Sequence, residues 1–220
     1  MKITSLWEGL KRIANGDYVL EGDLVSDEDI VVELDDRLVV RGKVKAKKNI
    51  LVRCGIKAGD GIEAGWDIEA GWDIKAGDGI KAGDGIEAGW DIEAGWDIKA
   101  GDGIEAGDGI EAGCGIKAGD GIEAGWGIKA GDGIEAGWGI KAGDGIEAGC
   151  GIKAGDGIEA GCGIKAGDGI KAKTFISARL RIFAGTSVYR SAENCKKFIK
   201  CAELRSGEIA FGDLVIADAP

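Results

Sequence analysis

From Ile56 to Ile170 an isoleucine stands at every sixth position, twenty times without a slip. An alanine follows two residues later in each unit, with a lysine or glutamate between them. In an extended chain, residues two apart share one face and the residue between them takes the other. Ile and Ala therefore point inward and Lys or Glu points to water. The unit closes with Gly-X-Gly or Gly-X-Asp, where X is Asp, Trp or Cys. Glycine admits the positive φ of a tight corner, so the pattern predicts three residues of strand and three of corner. Such a unit is too short for a helix or for a conventional strand of ~5–6 residues. It suits a coil whose short strands stack on the next coil ~4.8 Å away. No unit can bury its isoleucine alone, whereas stacking buries all of them, at roughly 1.5–3 kcal/mol for each fully buried side chain. The pattern predicts an all-β chain, a single parallel β-solenoid of six-residue faces.

The same phase extends upstream through Val32/Leu34, Leu38/Val40, Val44/Ala46 and Ile50/Val52, and downstream through Ile176/Ala178 and Ile182/Ala184. Residues 61–84 and 85–108 differ only at Lys81 and Glu105, so the chain has duplicated in blocks of 24. Spacing by 24 gives an all-Asp column and an apolar column, whereas spacing by 18 mixes Trp, Asp and Cys. This favours four hexads per coil, or two, over three. The ends differ from the middle, as they should where open sheet edges invite aggregation. Ser5-Leu6-Trp7-Glu8 has the form of a capping box, Leu6, Leu10 and Ile13 follow at helical spacing, and Gly16 is a stop. A short α-helical cap is expected over 6–15. The expected organisation is an N-terminal cap over 1–30, the solenoid over 31–184 and a divergent C-terminal β cap over 185–220. Within that last cap, 191–197 is expected to form a turn or a single helical turn. Ile209/Phe211 and Val215/Ala217 are expected to return as strands, and the cap to serve as a homodimer contact.

The repeat is similar to the hexapeptide repeat of left-handed parallel β-helices, in which an inward small residue, a spacer, an inward aliphatic residue and a glycine recur. In Ile56-Lys57-Ala58-Gly59 the large and small inward residues are exchanged. The resemblance implies the fold. Many enzymes of that family are acyltransferases that use a histidine, and this chain has none. That activity therefore transfers to no residue here, and the usual general base and His-ligated zinc are excluded as well. The 42 glycines with a single proline also exclude collagen-like and polyproline structures.

Charge narrows the functional classes. The chain carries −11, and between Gly55 and Ala172 ten lysines stand against ten glutamates and fourteen aspartates, a local −14. Such a surface repels free nucleic acid and attracts basic partners. The Lys and Glu positions nearly cancel and are expected to form cross-strand ion pairs. The excess lies in the corners, most regularly at Asp60, Asp84, Asp108, Asp132 and Asp156. These invite three readings: solubilising turn residues, calcium ligands as in β-rolls, or a nucleic-acid-like array of charge. Trp66, Trp72, Trp90, Trp96, Trp126 and Trp138 share the same slot of the unit, either as a structural ladder or as a strip that binds a partner. The block cysteines Cys114, Cys150 and Cys162 take that slot as small filler, while Cys195 and Cys201, six apart, have the spacing to stack. No secretory leader or membrane-crossing stretch is legible, and a cytoplasmic protein with reduced thiols is expected.

The expectation is a protein without enzymatic activity, cofactor or metal, and without direct nucleic-acid or membrane binding. Its predicted role is a binding or inhibitor protein that presents acidic, Trp-studded edges to a basic, nucleic-acid-handling protein, as a phage-type antagonist acting by mimicry would. A self-assembling scaffold is the alternative, and a calcium-binding β-roll-like protein the third reading.

Overall fold

A computed structural model describes the whole chain except Leu6, Glu8 and residues 187–196 and 218–220. The chain is a parallel β-solenoid whose repeat strands are the Ile-Lys/Glu-Ala triplets. Ile62 pairs with Ile80, Ile68 with Ile86 and Ile74 with Ile92, each in parallel and each 18 residues on. One coil is therefore three hexads, not four or two. Three equal strands and three similar corners close on themselves. The 24-residue pattern records how the sequence was duplicated rather than how it coils.

Three faces result. The first holds the strands that begin at Tyr18, Leu38, Ile56, Ile74 and every 18 residues to Ile164. The second runs through Leu24, Val44, Ile62, Ile80 and onward, and counts 11 strands in all. The third runs from Lys2–Ile3 through Ile30, Ile50 and Ile68 to Ile158. The ten-residue strand Phe175–Ala184 belongs to two faces at once, because Ile176 pairs with Ile158 and Ile182 with Ile164. All of the repeat isoleucines and nearly all of the alanines are buried in one continuous axial cluster.

Repeat glycines are needed for closeness rather than for positive φ. None of those between Gly55 and Gly169 has a positive φ. A Cβ built on Gly77 would lie 2.0 Å from the Gly59 carbonyl oxygen, and one on Gly119 1.8 Å from that of Gly101. The fourth residue of each hexad thus packs directly against the backbone of the preceding coil. At the sixth residue space is available: a Cβ on Gly109 would meet its nearest neighbour, Asp91 Oδ1, at 3.2 Å. Asp67, Asp73, Asp91 and Asp97 occupy this roomier slot.

The ends depart from expectation in two places. The helix over 6–15 does not form, and no helix occurs among the described residues. Leu10–Arg12 is instead a strand, paired antiparallel with Tyr18–Leu20. Gly9 and Gly16 adopt φ of +96° and +99°, which a helix cannot contain. The hairpin covers the open edge of the first face, a stronger demand than the local helical spacing. It is held by Arg12, which donates to Asp36 Oδ2 at 2.9 Å, and by Tyr18 Oη, which donates to Asp35 Oδ1 at 2.8 Å. That hydrogen bond holds the Asp35 carboxyl below its ordinary range.

The second departure is the first coil, in which Tyr18 pairs with Leu38, Leu24 with Val44 and Ile30 with Ile50, an offset of 20. The strand there is Ile30–Val32, so Val32/Leu34 is out of step by two residues although both side chains are buried. The extra length lies in 33–37, which supplies Asp35 and Asp36 to the hairpin and sends Arg37 to Asp73 at 2.5 Å. At the far end, Glu203–Phe211 pairs with Phe175–Ala184 and Asp213–Ile216 with Phe198–Cys201. Residues 191–196 lie outside those described, as does Cys195.

Candidate interaction surface

An 18-residue coil decides which side chains stack. The corner after the first face carries Asp60, Asp78, Trp96, Cys114, Asp132 and Cys150 in successive coils. The corner after the second carries Trp66, Asp84, Asp102, Asp120, Trp138 and Asp156. The third carries Trp72, Trp90, Asp108, Trp126, Asp144 and Cys162. The five aspartates 24 apart therefore do not form a column. Asp60 and Asp132 fall on the first corner, Asp84 and Asp156 on the second, and Asp108 on the third, so the set winds around the rod. Asp84–Asp102–Asp120 is the longest true acidic stack.

Tryptophan is distributed in the same way. Only Trp72 and Trp90 are neighbours in a column, and their rings stack at 5.6 Å and 11°. Trp72 also packs on the core. The other four stand apart from one another, with Trp96, Trp126 and Trp138 between 63% and 67% exposed. Trp66 takes the Lys48 ammonium over its ring at 5.9 Å. The single-edge strip expected from the sequence is thus three edges, with a two-ring ladder on one of them.

Asp residues in the sixth slot have a local task. Asp67, Asp91 and Asp97 accept hydrogen bonds from the backbone N–H of Gly85, Gly109 and Gly115 in the next coil, at 2.8, 2.9 and 2.9 Å. Asp97 also accepts from Lys99 Nζ at 2.8 Å, and these two donors, the lysine foremost, hold its carboxyl below the ordinary range. The sign of this role was present in the sequence as Asp followed 18 residues later by Gly. It was unreadable while the coil length was misjudged.

The surface residue between Ile and Ala shows the clearest pattern. On the first face the two signs intermingle, with ion pairs Lys75–Glu93, Lys129–Glu111 and Lys165–Glu147 at 2.7–2.8 Å. On the third face Glu69, Glu87, Glu105 and Glu123 stand directly opposite one another in four consecutive coils. Glu123 is paired with Lys141 at 2.6 Å. Among the described residues no cation lies within 4 Å of the carboxylates of Glu69, Glu87 or Glu105. On the second face Lys81, Lys99 and Lys117 are stacked in the same manner. The expectation that these charges pair along their columns therefore holds for the first face and fails over these stretches of the other two. Like charges in register cost stability, so the segregation has a price within the isolated rod.

The thiols of Cys54 and Cys201 are buried, and burial pushes both above their ordinary range. Cys162 donates to Asp144 Oδ1 at 3.4 Å, and this contact also raises its pKa. All three are thus held as thiols, the form in which cysteine is a poor nucleophile. A groove on the third face is floored by Gly85, Gly103 and Gly121, walled by the glutamate ladder and closed by Trp138 and Phe175. Compared with family models, with curated proteins and with solved structures, the chain matches none.

Proposed function

We propose that the protein is a non-catalytic binding protein whose third face, with the corners that flank it, docks on a basic protein surface. The observation that carries this reading is the ladder Glu69–Glu87–Glu105–Glu123 beside the acidic stack Asp84–Asp102–Asp120. Stacked carboxylates on a rigid rod attract cationic surfaces at long range, and exposed Trp138 and Trp126 on the two flanking corners supply apolar anchors. A protein groove built to hold a nucleic acid backbone meets these requirements. An inhibitor of the kind phages direct against host nucleic-acid enzymes, acting in the cytoplasm by mimicry, is the role that fits best. Kinship with hexapeptide-repeat β-helices belongs to the same reading and brings no activity with it, because the histidine of the acyltransferases has no counterpart.

The test compares capture by the wild-type chain with capture by a variant in which Glu69, Glu87, Glu105 and Glu123 are all glutamine. A basic nucleic-acid-binding protein retained only by the wild type, and released by salt, is the expected result. Equal retention by both overturns the assignment of the third face. A second reading, self-assembly through the C-terminal cap, is favoured by the exposed Phe211, Leu214, Val215 and Ile216 along the last strands.

A further inference from the structure

We infer that the second and third faces are complementary to each other, and that a second copy of this chain binds laterally, its glutamate ladder laid on the lysine ladder of its neighbour. The inference does not rest on the function proposed above. It starts from the cost identified there: two runs of like charge, each in register, each without cancellation along its own column. Glu69, Glu87 and Glu105 lie more than 4 Å from any cation among the described residues, and Lys81 likewise lies beyond that distance from any described acid. Lys99 is engaged by Asp97 of its own edge, and Lys117 reaches Glu135 only at 3.6 Å. Both ladders have the same pitch, one residue per coil or ~4.8 Å, because both are carried by the same stack. A rod of this protein is therefore a ruler that fits its own opposite charge.

The order of charges selects the orientation. Two parallel rods joined through these faces bring the second corner, which borders both faces, against its own copy. Asp84, Asp102 and Asp120 then face the same three residues. Reversing one rod removes this clash and keeps the complementarity. With Lys99 opposite Glu105, Lys81 meets Glu123, Lys117 meets Glu87 and Glu63 meets Lys141, and among these coils only Glu135 against Glu69 is alike in sign. The rims add apolar area: Trp96 borders the second face, Trp72, Trp90 and Trp126 the third, and Trp66 and Trp138 both. A face of eleven strands is on the order of 50 Å long and 15 Å wide, about 750 Å² a side, close to the ~800 Å² per partner of a standard interface.

The net charge of −11 opposes association at long range. At about 0.1 M salt the screening length is ~10 Å, so whole-body repulsion is damped while contacts within the interface are not. Sedimentation of the full-length chain at that salt should show reversible, concentration-dependent self-association that is lost near 1 M salt, where screening reaches ~3 Å. Lys81→Glu/Lys99→Glu/Lys117→Glu should be monomeric, and so should Glu87→Lys/Glu105→Lys/Glu123→Lys. Mixed one to one, the two should associate again, because each supplies the sign the other lacks. The glutamine versions of both triple variants, which relieve like-charge repulsion without reversing it, should also be monomeric and guard against a folding defect. A wild-type chain that stays monomeric, a reversal that leaves association intact, or a mixture that does not recover it overturns the inference.

Discussion

Between Gly55 and Ala172 the fourth residue of every hexad is glycine, whereas at the two ends the same slot holds Arg41, Lys47 and Arg53, then Lys173 and Arg179. Within the block the slot lies against the carbonyl of the coil before it, at 1.7–2.2 Å from where a Cβ would sit. At the N-terminal end the adjoining coil is 20 residues long and carries its extra length in 33–37. At the C-terminal end Lys173 N–H donates to Asp156, whereas in the block Gly167 N–H donates to Ala148, two positions earlier in the hexad. Side chains return where the coil-to-coil geometry relaxes. Glycine in this repeat is thus a condition of tight stacking, and the chain drops it wherever the stack is irregular.

The most damaging way to break this comparison is to place a side chain under the stack. Gly119→Ala puts a Cβ 1.8 Å from the Gly101 carbonyl oxygen and has to push two coils apart. A loss of about 3 kcal/mol or more in denaturant unfolding is expected. The matched control is Gly109→Ala in the sixth slot, where the nearest atom is 3.2 Å away and φ is not positive. That variant should stay within about 1 kcal/mol of wild type and lean toward stabilisation, since it reduces the freedom of the unfolded chain. Equal effects at the two sites would mean that closeness is not what selects glycine.

A second contrast sets the core of the block against the last strand. Ile110 is 1% exposed and touches its counterparts in the coils above and below, so Ile110→Ala should cost about 2–5 kcal/mol. Ile216 is 57% exposed, and Ile216→Ala should change the stability of the isolated chain by no more than about 0.5 kcal/mol. Because each coil contacts only its neighbours, the first substitution should also lower the cooperativity of unfolding by weakening the link between the two halves of the rod. A large effect at Ile216 would reveal that the C-terminal edge is covered in solution, as self-assembly through the cap requires.

The solenoid was legible because Ile-x-Ala at a period of six leaves a chain few other ways to bury its isoleucines. Coil length was not, because stacking partners are set by corner geometry, and a recent duplication aligns columns at 24 whatever the coil. Everything that depends on neighbours between coils was lost with it: the dispersal of Asp60, Asp84, Asp108, Asp132 and Asp156, the splitting of the tryptophans over three edges and the two charge ladders. The N-terminal error had a different source. Ser5, Leu10, Ile13 and Gly16 satisfy a local helical pattern, but a solenoid's first strand needs an edge cover, and Gly9 at positive φ lets the chain turn to provide one. Local spacing lost to a tertiary demand visible only once the sheet edge exists.

The smallest expected effect concerns how coils are pinned to each other at the sixth slot. Asp97 joins three coil elements: its own corner, Lys99 on the second face and the N–H of Gly115 one coil on. Both hydrogen bonds favour the charged carboxylate, so its pKa is lower folded than unfolded. A depressed acid contributes stability that is fully present above the unfolded value, ~3.9 for aspartate, and is lost as pH falls through the folded value. Asp97→Asn keeps an acceptor for Gly115 but removes the charge that Lys99 answers. The melting temperature of the variant should therefore sit slightly below wild type at neutral pH, and the gap should close as pH falls below about 4. The side chain is 41% exposed, so solvent screens the pair and the effect stays small. A gap that persists unchanged into acid would assign the stabilisation to the backbone hydrogen bond alone, and the sixth-slot aspartates would then be spacers between coils rather than electrostatic pins.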